Sequence, residues 1–395
     1  MDRANPLAHP LYRPMRARDP DARRGQTPLE LLFDLAFSTA SGFAAVQLTR
    51  SLTTGGWGQA VLGFAMVFFA IWWAWLNFSW HASAYDTDDG VTWTVTTLQI
   101  LGACVLAAGV PAALTERDFA VITFGYAVMR LPLAAQWCRA AVGDPSRRVT
   151  CLRYAVGLLV LQVVWLTRLA LPEQWLSPAF LVLVAAELAV PFWAQRRGRI
   201  PTNPAHMAGR YGRFTLTVAA QVVAAAIHAV QLGVADGPPR ASLVAVAVLA
   251  VTTVIPLLWL YHALPHAELA SGPHRRLWEY GHYLVVGAVG AVGAGARFLA
   301  ETVSSPETAV RPSDASPLVA AAAVVVFSLW LVCVLPAGRG VPGWARGRYP
   351  LCALLLALTP VVLPGPLWAA ATAVVLLLVL GAFEGLTTRT ATGTS

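Results

Sequence analysis

Residues 59–80 read QAVLGFAMVFFAIWWAWLNFSW, twenty-two residues without a single Asp, Glu, Lys or Arg. A helix rises 1.5 Å per residue, so this run is long enough to cross the roughly 30 Å hydrocarbon core of a bilayer. The rest of the chain repeats the pattern. Of 395 residues 57% are hydrophobic and only 12% charged, and the mean hydropathy is +0.60, outside the usual balance of a soluble globular domain.

Working outward, comparable runs lie at 29–49, 91–113, 118–138, 152–171, 175–194, 213–233, 241–262, 279–299, 315–335, 349–363 and 366–386, which predicts twelve spans in an all-α polytopic membrane bundle. The eleventh run is short and carries Pro360, so a re-entrant hairpin with the twelfth is its rival reading. No water-soluble domain fits between the runs. Residues 1–28 read as a disordered basic leader without the apolar core of a signal peptide, and 387–395 as a tail.

Every basic residue is arginine. With the N-terminus inside, 21 of the 28 fall on the cytoplasmic side, 6 outside, and Arg130 within a span. Basic residues are retained in cytoplasmic loops, so both termini are expected inside a cell membrane. The net charge of +8 is then met by lipid headgroups, and nucleic acid is not invoked. The partners expected are membrane lipids and a small solute or ion. No cofactor is indicated, and the five cysteines have no metal-ligand spacing.

The chain also resembles itself. AVQL recurs at 45–48 and 229–232, Trp75 and Leu76 meet Trp259 and Leu260 at the same offset, and LTE at 114–116 meets LAE at 299–301 one residue later. This predicts two six-helix repeats, 29–200 and 201–386, parallel because six is even, with a site between the halves.

Polar groups inside the spans carry the chemistry, because an ionised side chain at the bilayer centre costs roughly 2.5–3.5 kcal/mol on insertion scales. Glu30 and Asp34 lie one helical turn apart in PLELLFDLAF, residues 28–37. Glu30 suits a helix entrance. Asp34 suits either a packing salt bridge, with Arg130 as partner and Glu187 competing for it, or a cation- or proton-binding site. HASAYDTDDG places His81, Asp86, Asp88 and Asp89 in an arginine-free loop, to be read first as a turn and helix cap, then as a salt-bridging loop, then as a metal cluster. The second repeat offers His206, Arg210, Gln221, His228 and His282. His262 and His266 are spaced as metal ligands on a helix, but Pro265 interrupts it and weakens that reading. Trp72, Trp73, Trp75 and Trp80 suit an interfacial belt. No Ser-His-Asp order, nucleotide-binding glycine loop or HExxH motif is present, so no catalytic residue is assigned.

TPLELLFDLAF followed by WWAWLNFSWHASAYDTDD resembles the bacterial low temperature requirement A family, whose first span opens LELFFDLVF and whose second leads through WWAW to DTDD. YAVMRL (126–131), HMAGRYGRF (206–214) and WEYGHYLVVG (278–287) extend the resemblance over nearly the whole chain. Its seventh span has two glutamates where this chain has Gly209 and Gln221, while His206, Arg210, Gly212 and Phe214 are kept. The resemblance implies a multi-pass membrane protein, with any ion coupling by those glutamates lost here. Together with the parallel repeat and the buried charges, the sequence points to a secondary transporter or proton-coupled permease. A non-transporting scaffold or lipid-handling protein is the alternative.

Overall fold

The computed structural model describes residues 10–22, 25–85, 87–235, 238–305, 309–337 and 343–392. Among these lie thirteen α-helices: α1 (Pro28–Thr53), α2 (Trp57–Tyr85), α3 (Gly90–Thr115), α4 (Ala120–Gly143), α5 (Arg148–Arg168), α6 (Glu173–Ala194), α7 (Pro204–Val234), α8 (Ala241–His262), α9 (His266–Ser271), α10 (Arg275–Ser304), α11 (Ser316–Leu329), α12 (Gly343–Val362) and α13 (Pro366–Thr392). Among the described residues there is no strand.

Also among the described residues, ten helices are long and apolar enough to cross a membrane, not twelve. The two that fall short are expected spans four and eleven. Each forms as a helix, but α4 carries Arg130 and Arg139 and α12 carries Arg346, Arg348, Pro350 and Pro360. Polar content, rather than a lack of length, sets them apart: α4 runs 24 residues and packs between α3 and α5.

Two compact units form, and they are not contiguous in sequence. The first takes the chain through Ala40 together with Phe69–Met207, and the second takes Ser41–Phe68 together with the chain from Ala208 onward.

In the first unit α3 and α4 touch backbone to backbone. A Cβ on Gly102 would lie 2.6 Å from Met129 Cγ and 2.9 Å from the Gly125 carbonyl, and one on Gly109 would lie 2.7 Å from Ile122 N. Small residues are the usual means of bringing membrane helices this close. The four tryptophans are no interfacial belt. Trp72, Trp73, Trp75 and Trp80 are all buried, and Trp73 lies edge-on to Trp80 at 5.7 Å. Carboxylates inside the unit accept from two of their indole N–H groups, which the sequence pattern could not show.

The leader also departs from expectation over its described part. Residues 10–22 are bound rather than disordered: Gly90 N donates to Pro10 O at 3.1 Å, Val91 N to Leu11 O at 3.1 Å and Arg18 N to Ala84 O at 2.9 Å. Asn203 Nδ2 donates to Ala22 O at 2.8 Å, and Met15 is fully buried. Backbone pairing of this kind needs no apolar signature in the bound segment.

In the second unit α10 is the central helix, packing on α8 and α11. It buries a Gly- and Ala-rich face including Gly287, Gly290 and Gly293. Thr49 Oγ1 donates to Ala294 O at 3.0 Å, and Tyr283 OH to Ala65 O at 2.7 Å.

Candidate functional site

Thr27 and Glu30 close the start of α1 as a capping box. Thr27 N donates to Glu30 Oε2 at 2.8 Å while Glu30 N donates to Thr27 Oγ1 at 3.2 Å, satisfying two otherwise orphaned amides. Pro28 occupies the first helical position, where a missing N–H costs nothing. The same Glu30 oxygen lies 3.3 Å from His206 Nε2, in the first turn of α7, and both side chains are buried. Glu30 is thus both a cap and half of a buried acid–imidazole pair.

One turn along α1, Asp34 Oδ1 accepts from Trp75 Nε1 at 2.7 Å and Oδ2 from Gln26 Nε2. Arg130 does not pair with it. The guanidinium takes the competing partner, with Nη2 donating to Glu187 Oε2 at 2.5 Å. That oxygen also accepts from Trp73 Nε1 at 2.9 Å, and Oε1 accepts from Tyr126 OH at 3.1 Å and Trp165 Nε1 at 3.2 Å. Two donors on each oxygen satisfy the carboxylate where it sits, and Tyr126 presents its ring to Arg130 at 5.2 Å. The carboxylate has no lone pair left for a further donor.

The DTDD loop combines two of its expected readings. Asp89 caps α3, accepting from Thr92 N at 2.9 Å, and it also pairs with Arg139 and accepts from Arg13 N at 2.7 Å. Asp88 accepts from Trp93 Nε1 at 2.9 Å, and His81 lies edge-on to Trp137 at 4.9 Å. Asp86 lies outside the described residues. No group of three or more metal-ligating side chains occurs among the described residues.

Burial alone would raise the Asp89 carboxyl, but the hydrogen bonds from Arg139, Thr92 and Arg13 outweigh it and hold it below the usual range. A depressed carboxyl pKa contributes stability that is fully present above the unfolded value of about 3.9 and is lost as pH falls through the folded value. Asp89→Asn is therefore expected to lower the unfolding temperature at pH 6–7, with the deficit shrinking as pH falls below about 4. Thermal unfolding across that range checks it, and a deficit that does not change with pH would contradict the ionic role.

In the second unit the candidates do not converge. Arg210 is fully buried on α7. Gln221 packs where Gly42 and Gly293 leave room, each glycine's absent Cβ falling within 3 Å of it. His228 Nε2 lies 3.3 Å from Glu301 Oε1, which also accepts from Arg297 Nε at 2.9 Å. His282 belongs to a ring cluster: its Nδ1 donates to Trp278 O at 2.5 Å and its Nε2 accepts from Tyr261 OH at 3.2 Å.

The sequence reading paired His266 with His262 and did not join it to His282. His266 Nδ1 accepts from Trp278 Nε1 at 3.1 Å and Nε2 donates to Tyr261 O at 2.7 Å, which fixes a neutral tautomer. Burial pushes its pKa down to about 4, against a smaller upward effect of the Tyr261 carbonyl. Pro265 breaks the helical spacing to His262, yet it also begins the short α9 that delivers His266 to the cluster. Also missed was Asp144, which accepts from Tyr85 OH at 3.0 Å and pairs with Arg147 at 3.0 Å.

The family model for the bacterial low temperature requirement A protein matches residues 26–383. An uncharacterized protein of Rhizobium meliloti (strain 1021) is 26% identical over 307 residues, covering 72% of this chain and 71% of that one. No solved structure matches.

Proposed function

From the premise that this chain belongs to the bacterial low temperature requirement A family, we propose that it is a secondary transporter of the cell membrane, a proton-coupled permease for a small solute, with both termini cytoplasmic. The observation that carries the reading is the buried Glu30–His206 pair at 3.3 Å. Ionisable groups in membrane-spanning helices are costly and are kept where they serve ion or proton movement. Among the buried carboxylates, Glu187 is saturated by four donors, whereas Glu30 faces an imidazole, the side chain best suited to change charge near neutral pH. With Glu30 ionised and His206 protonated the two helix starts attract ionically, and losing the imidazole proton or protonating Glu30 removes that attraction. A proton at this pair is thereby coupled to how α1 and α7 hold together.

Purified protein in proteoliposomes, challenged with a panel of small solutes under an imposed proton gradient, tests this. Flux of one or more solutes is expected to follow the gradient, and Glu30→Gln or His206→Gln to reduce it to the protein-free leak while the protein stays folded and monodisperse. Gradient-independent flux in the wild type, or full coupling in both variants, would overturn the proposal.

One observation favours the alternative of a lipid-handling protein. A largely apolar cavity of about 320 Å³ in the second unit is lined by Leu48, Trp57, Phe64, Phe68, Tyr283 and Ala320, among others, and suits an acyl chain. That reading predicts no solute flux in the same vesicles.

A further inference from the structure

Among the described residues, several buried polar atoms of the first unit have no hydrogen-bond partner: Thr96 Oγ1, Gln99 Nε2, Gln136 Oε1, both amide atoms of Gln162, and Nε and Nη1 of Arg130. Buried groups in native proteins are ordinarily satisfied, so a cluster of exceptions asks for an explanation. The registers of their helices set these atoms at neighbouring depths. Arg139 meets Thr92 at 3.2 Å, Gly102 faces Met129 and Gly109 faces Ile122, one constant antiparallel register between α3 and α4. It brings Thr96 level with Gln136 and sets Gln99 within a turn of Arg130. Trp165 against Tyr126 at 6.1 Å and Tyr154 stacked on Trp137 at 4.3 Å give α4 and α5 a constant register too, which brings Gln162 level with Arg130. Unsatisfied polar groups on α3, α4 and α5 therefore stand, by depth, between the Asp89–Arg139 pair and the Glu187–Arg130 pair, and we call this set the polar seam.

The leader closes the Asp89 end. Arg139 Nη2 donates to Arg13 O at 2.7 Å, its guanidinium lies 4.8 Å from the Tyr12 ring centroid, and Asp89 accepts from Arg13 N. A Cβ on Gly143 would collide with the Met15 backbone, so a glycine there lets the strap lie against α4. The strap is held largely through its backbone, with the side chains of Arg13 and Arg16 exposed.

We propose that this seam is a route for small neutral hydrogen-bonding solutes, water among them, and that residues 10–15 are the strap that shuts its Asp89 end. Neutrality follows from the charges: Arg130 is compensated by Glu187 and Arg139 by Asp89, so an ion entering the seam would stay uncompensated. The unspent groups include both donors and acceptors, which suits water, alcohols or amides. In this proposal the docked strap keeps the seam closed, and freeing it lets the unsatisfied groups meet a solute. The inference deepens the transport reading and rests on it for its purpose, but its test uses no flux.

The whole chain, freed of native cysteines and held in detergent so that both ends are accessible, is given a single thiol by Gln99→Cys or Thr96→Cys. The probe is methyl methanethiosulfonate, small and neutral. Met15→Asp, which undocks the strap, is expected to raise the labelling rate at both positions by about tenfold or more, as a shift in a local opening equilibrium. Leu106→Cys, on the apolar part of the same helix, reports general loosening and is expected not to change. An unchanged rate at both 96 and 99, or an equal rise at 106, would overturn the proposal. If labelling behaves as expected but no solute crosses proteoliposomes, the gated seam stands and the transport reading falls.

Discussion

Glu187→Leu is expected to destabilise the protein by about 3–5 kcal/mol, among the largest losses a single substitution can cause here. The cause is the charge left behind. Arg130 is about 1% exposed and Glu187 fully buried, and the two form an ion pair at 2.5 Å. Removing the carboxylate leaves a buried guanidinium without a counter-charge and also deprives Trp73, Tyr126 and Trp165 of their acceptor. Arg130→Met alone should cost a similar amount for the converse reason. The double variant removes both charges together and is expected to be more stable than either single one, because exchanging a whole buried pair for apolar groups is often nearly neutral. A double-mutant cycle by denaturant titration in micelles measures the coupling. Additive losses would show that the two charges do not depend on each other. The same cycle between Asp34→Asn and Arg130→Met is expected to be additive, since the arginine is engaged by Glu187.

That contrast marks what the sequence could show. Glu30, Asp34, Arg130 and Glu187 stand out in the chain because burying a charge is costly, and the structure buries all four. Partner choice is another matter. Arg130 reaches a carboxylate 57 residues away and Glu30 an imidazole 176 residues away, and hydropathy does not encode which helices become neighbours. The tryptophans misled for a related reason. An indole has an apolar body and one N–H, so it suits a headgroup belt and a buried carboxylate equally well, and only packing decides. The leader was opaque because backbone amides and carbonyls hold it, and these are the same for every residue. Cap geometry was the most legible part. Glu30 at the entrance of α1 and Asp89 ahead of α3 follow from short-range stereochemistry that a few residues suffice to specify, although Thr27 as the partner of Glu30 was not read.

The α3–α4 contact supplies the other large expected effect, and two opposing terms decide its sign. Alanine is the better helix former, so Gly125→Ala gains up to about 1 kcal/mol of intrinsic propensity. Against this, the added methyl would overlap the backbone nitrogen and Cα of Leu106 and come within 2.9 Å of the Gly102 carbonyl. Those atoms are main chain inside a regular helix and cannot rotate away as a side chain would. The helices must separate, and separation also loosens the reciprocal fit of Gly102 against Met129 and of Gly109 against Ile122. Overpacking of a close-packed interior costs about 1–3 kcal/mol, and a backbone obstacle places this case at the upper end. A net loss of about 2 kcal/mol is therefore expected. Gly381→Ala in α13 isolates the propensity term, because a Cβ there meets nothing within 4 Å and should be neutral or mildly stabilising. Unfolding of the two variants side by side in micelles checks the argument. Equal stability for Gly125→Ala and Gly381→Ala would mean that α3 and α4 do not lie backbone to backbone, and the register that sets Thr96 level with Gln136 would fall with it.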